Sequence, residues 1–200
     1  MERATLPEEP AKNQPAQIAG TAHDVSIIVP VRTLIVLCGP AGAGKSTFAR
    51  QFVKRHASQG YRQTTIVSSD YCRALISDDE SSQHVNRDTF DLFYYIIHKR
   101  MFQGRLTIAD STAILPEARH KLLELAHRHQ YQTCLIVFNI PLDVCLEHDH
   151  QIERGRIVGE KVIAYHIEQL QGALTVIPQE GWDQVYILDG TQDRITSQII

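Results

Sequence analysis

From about residue 25 onward the chain alternates short apolar runs with longer amphipathic stretches. The runs at 33–38, 64–69, 105–110, 132–138 and 184–188 are rich in Ile, Val, Leu and Thr, and their length predicts buried strands. Between them, apolar residues at helical spacing predict helices over 45–57, 70–77, 87–102, 116–129, 141–151 and 159–176. Local signals agree: Pro116 with Glu117, and Pro141 ahead of Asp143, mark helix starts, while Gly60 and Gly104 mark stops. Phe90, Phe93, Tyr94, Ile97 and Met101 fall on one face of the third helix and are predicted core. Strands alternating with helices imply a parallel sheet covered on both faces and entered by right-handed crossovers.

Composition narrows this picture only a little. Two hundred residues, 43% hydrophobic and 22% charged, suit one ordinary globular domain. No apolar run approaches the roughly 20 residues that span a bilayer. Residues 1–24 are polar, with Pro7, Pro10 and Pro15 and no apolar signal-peptide core, and are expected to form a disordered tail ahead of a domain over 25–200. Cys38, Cys72, Cys134 and Cys145 show no paired spacing and sit in or beside apolar segments, so buried, reduced thiols in a cytoplasmic protein are expected. A net charge of −3 offers no global attraction for nucleic acid, so any such partner needs a local basic patch.

One segment carries specific chemistry. Gly39-Pro40-Ala41-Gly42-Ala43-Gly44-Lys45-Ser46-Thr47 fits G-x-x-x-x-G-K-S/T at every fixed position, between a predicted strand and a predicted helix. Its glycines let backbone N–H groups wrap a phosphate, and the helix N-terminus adds positive potential. ATP with Mg²⁺ is the expected ligand pair: Lys45 would bridge the β- and γ-phosphates and Ser46 would ligate the metal. The expected fold is therefore a kinase-type P-loop NTPase: a three-layer α/β/α domain with a central parallel sheet of about five strands and a small helical lid.

Ligands of such sheets gather at the carboxyl ends of the strands. Polar residues follow apolar ones abruptly there, at Ser68-Ser69-Asp70 and at Asp110. Asp70 is a candidate general base for phosphoryl transfer to a hydroxyl, or the N-cap of the helix behind it. Arg73, three residues on, could hold a phosphate of the acceptor or pair with a carboxylate. Asp110 could hold a magnesium-bound water or orient Arg73. Arg154 and Arg156, flanked by Gly155 and Gly159, suit either a lid closing over the triphosphate or a solvated basic loop. His148-Asp149-His150 lacks a third ligand at metal spacing and reads as a polar helix end. Ser77-Asp78-Asp79-Glu80 has the form of a capping box, or of an acidic loop.

Taken together these elements resemble the 5′-kinase module of bacterial polynucleotide kinase–phosphatase RNA-repair enzymes. The resemblance runs from Gly39–Thr47 through Ser68-Ser69-Asp70-Tyr71-Cys72-Arg73 and Ser77–Glu80 to Leu106-Thr107-Ile108-Ala109-Asp110-Ser111-Thr112, Val137–Pro141 and Val185–Leu188. It implies transfer of the ATP γ-phosphate to the 5′-hydroxyl end of RNA or DNA. Asp70 then matches the general base, Arg73 the arginine at the acceptor's phosphate, and Arg154 or Arg156 the lid arginine. Ala113 stands where the family often has Asn, and no arginine matches among Glu147, His148, Asp149 and His150. The chain carries no phosphatase or ligase module, so a stand-alone kinase, or one working with separate repair components, is expected. A small-molecule P-loop kinase and an ATP-dependent binding switch are the competing functions. A polynucleotide enzyme needs an electropositive groove, for which Arg73, Arg87, Lys99 and Arg100 are the candidates.

Overall fold

The computed structural model describes residues 24–150, 157–190 and 194–200. The predicted tail lies almost wholly outside these. Five parallel strands form the central sheet in the order β3-β4-β2-β5-β6: β2 (Thr33–Cys38), β3 (Ile66–Ser68), β4 (Thr107–Asp110), β5 (Gln132–Phe138) and β6 (Gln184–Leu188). All five were predicted within about two residues. The helices are α1 (Lys45–Arg55), α2 (Ser69–Ser77), α3 (Asn86–Phe102), α4 (Pro116–Arg128), α5 (Leu142–Asp149) and α6 (Glu160–Val176). No helix among the described residues is long and apolar enough to cross a membrane.

The strands explain why the layers form. Along β2, Leu34, Val36 and Cys38 point into one core, and Ile35 and Leu37 into the other. Both faces are buried, so the run reads as continuously apolar rather than alternating. The first core packs under α2, α3 and α4, with Phe93, Ile97 and Met101 at most 1% exposed as the helical spacing predicts. The second packs under α1 and α5, and α6 supplies residues to both. All four cysteines are buried, and none of them forms a disulfide.

A second, two-stranded parallel sheet was not predicted. It joins β1 (Asp24–Val29) to β7 (Arg194–Ile199), the two ends of the described chain. Val25, Ile27 and Val29 alternate inward onto the second core, while Ser26 and Ile28 face out. Such pairing leaves no hairpin signal, because its partners are separated by the whole domain. Arg55 fastens it by donating to the Ile195 carbonyl at 2.6 Å, and the His56 ring meets the Ser197 hydroxyl at 2.9 Å.

The connection leaving β4 supports the phosphate loop. The Gly39 N–H donates to the Thr112 carbonyl at 2.9 Å, so residues 111–115 brace the loop's entry. Ala113 sits there at φ 44°, in the left-handed region, and its carbonyl accepts from the Cys38 thiol (3.3 Å) and from Arg119 (3.2 Å). Burial raises the Cys38 pKa to about 11, which keeps that thiol a donor. Asn tolerates left-handed backbone better than Ala, so Ala113 is held there by these contacts. Arg119 also donates to the Ile114 carbonyl and to both Glu180 carboxylate oxygens, at 3.0 and 2.8 Å from Nε. Trp182 donates to Glu180 as well, at 2.9 Å.

Candidate active site

Strand register assembles the site. Asp110 pairs with Leu37 of β2 on one side and Ser68 of β3 on the other, so the carboxyl ends of three strands meet at the start of α1 and α2. The loop Gly39–Thr47 turns there from β2 into α1. Gly42 (φ 79°) and Gly44 (φ 87°) hold left-handed backbone. A Cβ on Gly42 would stand 2.2 Å from the Cys145 carbonyl oxygen, so α5 rests directly on the loop. Lys45 is buried and reaches back along the loop, its Nζ donating to the carbonyls of Gly39 (3.0 Å) and Pro40 (2.6 Å). The His148 ring, on α5, donates through Nδ1 to the Gly42 carbonyl at 2.8 Å.

Asp110 is 5% exposed, and burial raises its pKa. The Ser46 hydroxyl and Lys45 lie close enough to favour the ionised form, while neighbouring Asp70 opposes it. A hydroxyl and a carboxylate side by side at the phosphate loop are a hard-oxygen donor set of the kind Mg²⁺ takes, and Ser46 and Asp110 fit that ion. A raised carboxyl pKa means that the folded protein holds this proton more tightly than the unfolded chain, so ionisation destabilises the fold as pH rises through the folded value. Asp110→Asn is therefore expected to raise Tm at pH 7 in the absence of nucleotide, measured by thermal unfolding. The same change is expected to lower phosphoryl transfer by about 10²–10³-fold, the range for losing one group that stabilises transition-state charge.

Asp70 lies in the first turn of α2, and Ser68 rather than Asp70 caps that helix, its hydroxyl accepting the Tyr71 N–H at 3.4 Å. The Asp70 carboxylate is thus left for other work. Its side chain is 59% exposed and accepts from Arg73 at 2.7 Å, whereas the Arg73 side chain is 6% exposed. Arg73 also donates to the Glu80 carbonyl (3.1 Å) and to Asn86 Oδ1 (3.3 Å). Of the open readings, Arg73 pairs with Asp70, and Asp110 lies beside Ser46 rather than on Arg73. The capping-box reading of Ser77–Glu80 is corrected: Ser77 ends α2, Asp78 is its left-handed C-cap at φ 58°, and the segment loops back so that Glu80 receives Arg73.

Arg154 and Arg156 lie outside the described residues. The flanks of their connector are joined: Asp149, wholly buried, accepts the N–H groups of Val158 (3.0 Å) and Gly159 (2.9 Å). His148 and His150 bond backbone carbonyls, and among the described residues no group of three side chains could hold a metal. Two groove candidates need correcting. Arg100 donates to Leu106 and Thr107, at the amino end of β4, and Lys99 beside it lies over the Tyr95 ring. Both sit at the far end of α3, roughly 20 Å along its axis from Arg87 at 1.5 Å per residue.

His148, Asp149, Arg119 and Glu180 were not picked out as site supports by sequence. His148, Arg119 and Glu180 act on residues distant in the chain, and Asp149 on residues nine and ten positions on, which no helical or strand spacing reveals. The missing arginine match at 147–150 was the one hint that this stretch differs.

Comparison with known proteins follows the geometry. A family model described as an AAA domain matches residues 34–177. No curated protein matches the chain. Among solved structures, a chain of the Pnkp1/Rnl/Hen1 RNA repair complex shares the fold at TM-score 0.61 and 20% identity, covering 78% of this chain and 47% of that one. The present chain therefore spans about half the length of that relative. The Mycobacterium tuberculosis APS kinase CysC, solved with AMPPNP and APS, matches at TM-score 0.53 and 14% identity over 81% of this chain and 90% of its own. A gluconokinase from Sinorhizobium meliloti matches at 0.51 and 16%, over 81% and 85%. The sheet order, the phosphate loop and the match over 34–177 agree: this chain belongs to the AAA domain family and has the fold of its P-loop kinases.

Proposed function

We propose that this protein is an ATP-dependent polynucleotide 5′-hydroxyl kinase. The observation that carries the reading is the arrangement of Asp70: an exposed carboxylate, fixed by a buried arginine, at the strand end beside Asp110 and the phosphate loop. A phosphoryl acceptor must present its hydroxyl in line with the terminal phosphorus and give up its proton. Asp70 is open to solvent and therefore to an incoming strand end. Its proton-accepting oxygens stay near one position because Arg73 is held by the Glu80 carbonyl and Asn86.

The rest of the site divides the work. The loop N–H groups and the α1 N-terminus hold the phosphates of ATP, and Lys45 swings from its loop carbonyls to the β- and γ-phosphates. Mg²⁺, when bound, would offset the charge that develops during transfer. Ser46 and Asp110 are the residues that would hold it. Arg154 and Arg156 would close over the triphosphate, on a connector whose two ends Asp149 holds together. The RNA repair complex among the structural matches supports this acceptor, and separate repair components are the expected partners. APS kinase and gluconokinase share the fold, so acceptor choice rests on the site.

The test compares acceptors under one set of conditions. Oligonucleotides with a 5′-hydroxyl end are expected to give a kcat/KM far above those of free nucleosides and small sugar alcohols. The reverse order would make the protein a metabolite kinase. ATP hydrolysis with no phosphorylated acceptor would make it a nucleotide switch.

A further inference from the structure

A cleft of about 320 Å³ with mainly apolar walls lies beside the carboxyl-terminal half of α1, with cationic side chains around it. Arg50, Lys54 and Arg62 line it, with Gln51 and Gln63 beside them and Val53 and Tyr61 as its apolar wall. Among the described residues no carboxylate lines it. The charge pattern behind this is long-range: from Val25 to Ser69 the chain has no Asp or Glu, yet carries Arg32, Lys45, Arg50, Lys54, Arg55 and Arg62. In a protein whose net charge is −3, this stretch of sequence carries the opposite sign, and Arg50, Lys54 and Arg62 from it meet at the cleft.

Helix geometry connects this cleft to the site. Arg50 and Lys54 are one turn apart on α1 and both exposed. Arg50 lies five residues beyond Lys45, about 7.5 Å along α1, so the row begins about one and a half turns from the phosphate loop. Lys54 is nine residues from Lys45, or about 14 Å along the helix. Arg62 spends one nitrogen on the Ala57 and Tyr61 carbonyls, leaving the rest of its guanidinium for another partner. Among the described residues none of the three cations forms an ion pair with a carboxylate. β3, the edge strand of the sheet, lies between Asp70 at its carboxyl end and Gln63 before its amino end.

We infer that this cleft binds the acceptor strand beyond its 5′ end. The inference rests on the polynucleotide reading above and adds the path of the strand. Arg50, Lys54 and Arg62 contact successive phosphates, and the Tyr61 ring offers an apolar face to a base. Cations along a backbone track with an aromatic wall are the means by which proteins hold single strands without reading sequence. A span of about 14 Å holds roughly four nucleotides at the 3.4 Å stacked spacing, and fewer if the strand is extended. An acceptor of one or two nucleotides ends before Lys54.

The test uses the double variant Lys54→Glu/Arg62→Glu, which changes exposed side chains away from the phosphate loop. With a 5′-hydroxyl dodecamer, KM is expected to rise about tenfold or more, and the salt dependence of log KM to fall by about 1.4, the value for two lost single-strand phosphate contacts. With a dinucleotide acceptor, and for ATP itself, KM should stay at the wild-type value. Equal effects on both acceptors, or none, would overturn the assignment. If wild-type protein phosphorylates no oligonucleotide, the kinase reading fails. The cleft is then judged by fluorescence anisotropy with the same dodecamer: weaker binding by the variant sustains it, and unchanged binding removes it.

Discussion

Replacing Asp70 with alanine is expected to lower turnover by about 10²–10⁴-fold while leaving ATP affinity unchanged, the range for a lost general base. The phosphate-binding atoms belong to the loop and α1, and Asp70 touches none of them among the described contacts. Alanine also takes a partner from the buried Arg73, so some loss of stability accompanies the change. Asp70→Asn separates the two effects. Its amide oxygen can still accept from Arg73, so the fold should hold, yet it cannot take a proton and turnover should fall as far as in the alanine variant. Single-turnover kinetics with ATP binding measured in parallel checks both. An asparagine variant with wild-type turnover would reduce Asp70 to a structural partner of Arg73.

Glu180→Ala is expected to destabilise the protein by about 3–5 kcal/mol, because it leaves the guanidinium of Arg119 buried without its countercharge. For a chain of this size that corresponds to a fall in Tm of roughly 6–20 °C. The double change Arg119→Met/Glu180→Leu removes both charges and should recover most of that loss, since apolar replacement of a buried pair is often neutral. The pH dependence has a definite sign. Burial alone would raise the Glu180 pKa, but hydrogen bonds from Arg119 and Trp182 bring it below its ordinary value of 4.5. The stability it contributes is therefore complete above pH 4.5 and lost as pH falls through the lowered folded value. Chemical denaturation at pH 7 and in acid should show the wild-type advantage over Glu180→Gln shrinking at low pH.

The elements visible in the sequence were those whose cause is local. The sheet strands announce themselves because burial on both faces makes them continuous apolar runs, and α3 because Phe93, Ile97 and Met101 recur on one face. Asp70 and Asp110 were legible because a carboxylate at the end of an apolar strand is costly without a purpose. The Arg73–Asp70 pair follows from their i,i+3 spacing on α2. That Asp110 would come beside Ser46 was not legible, because the register of β4 on β2 and the turn of the phosphate loop bring them together. β1 and β7 went unseen because they pair across the whole chain. Arg119 and Glu180 are sixty-one residues apart, and an arginine on an amphipathic helix ordinarily marks the solvent side. Lys99 and Arg100 were candidates for a basic groove, but they stand at the far end of α3, away from the site, which a one-dimensional reading does not show.

One experiment bears on all of this most directly. The protein is mixed with Mg²⁺, γ-labelled ATP and paired oligonucleotides that differ only in carrying a 5′-hydroxyl or a 5′-phosphate, and the labelled product is digested to locate the phosphate. Label at the terminal 5′ oxygen of the hydroxyl strand alone, lost when Asp70 is replaced by asparagine, is the predicted result. Bound ATP with no label on either strand, or label that survives the Asp70→Asn change undiminished, would contradict it.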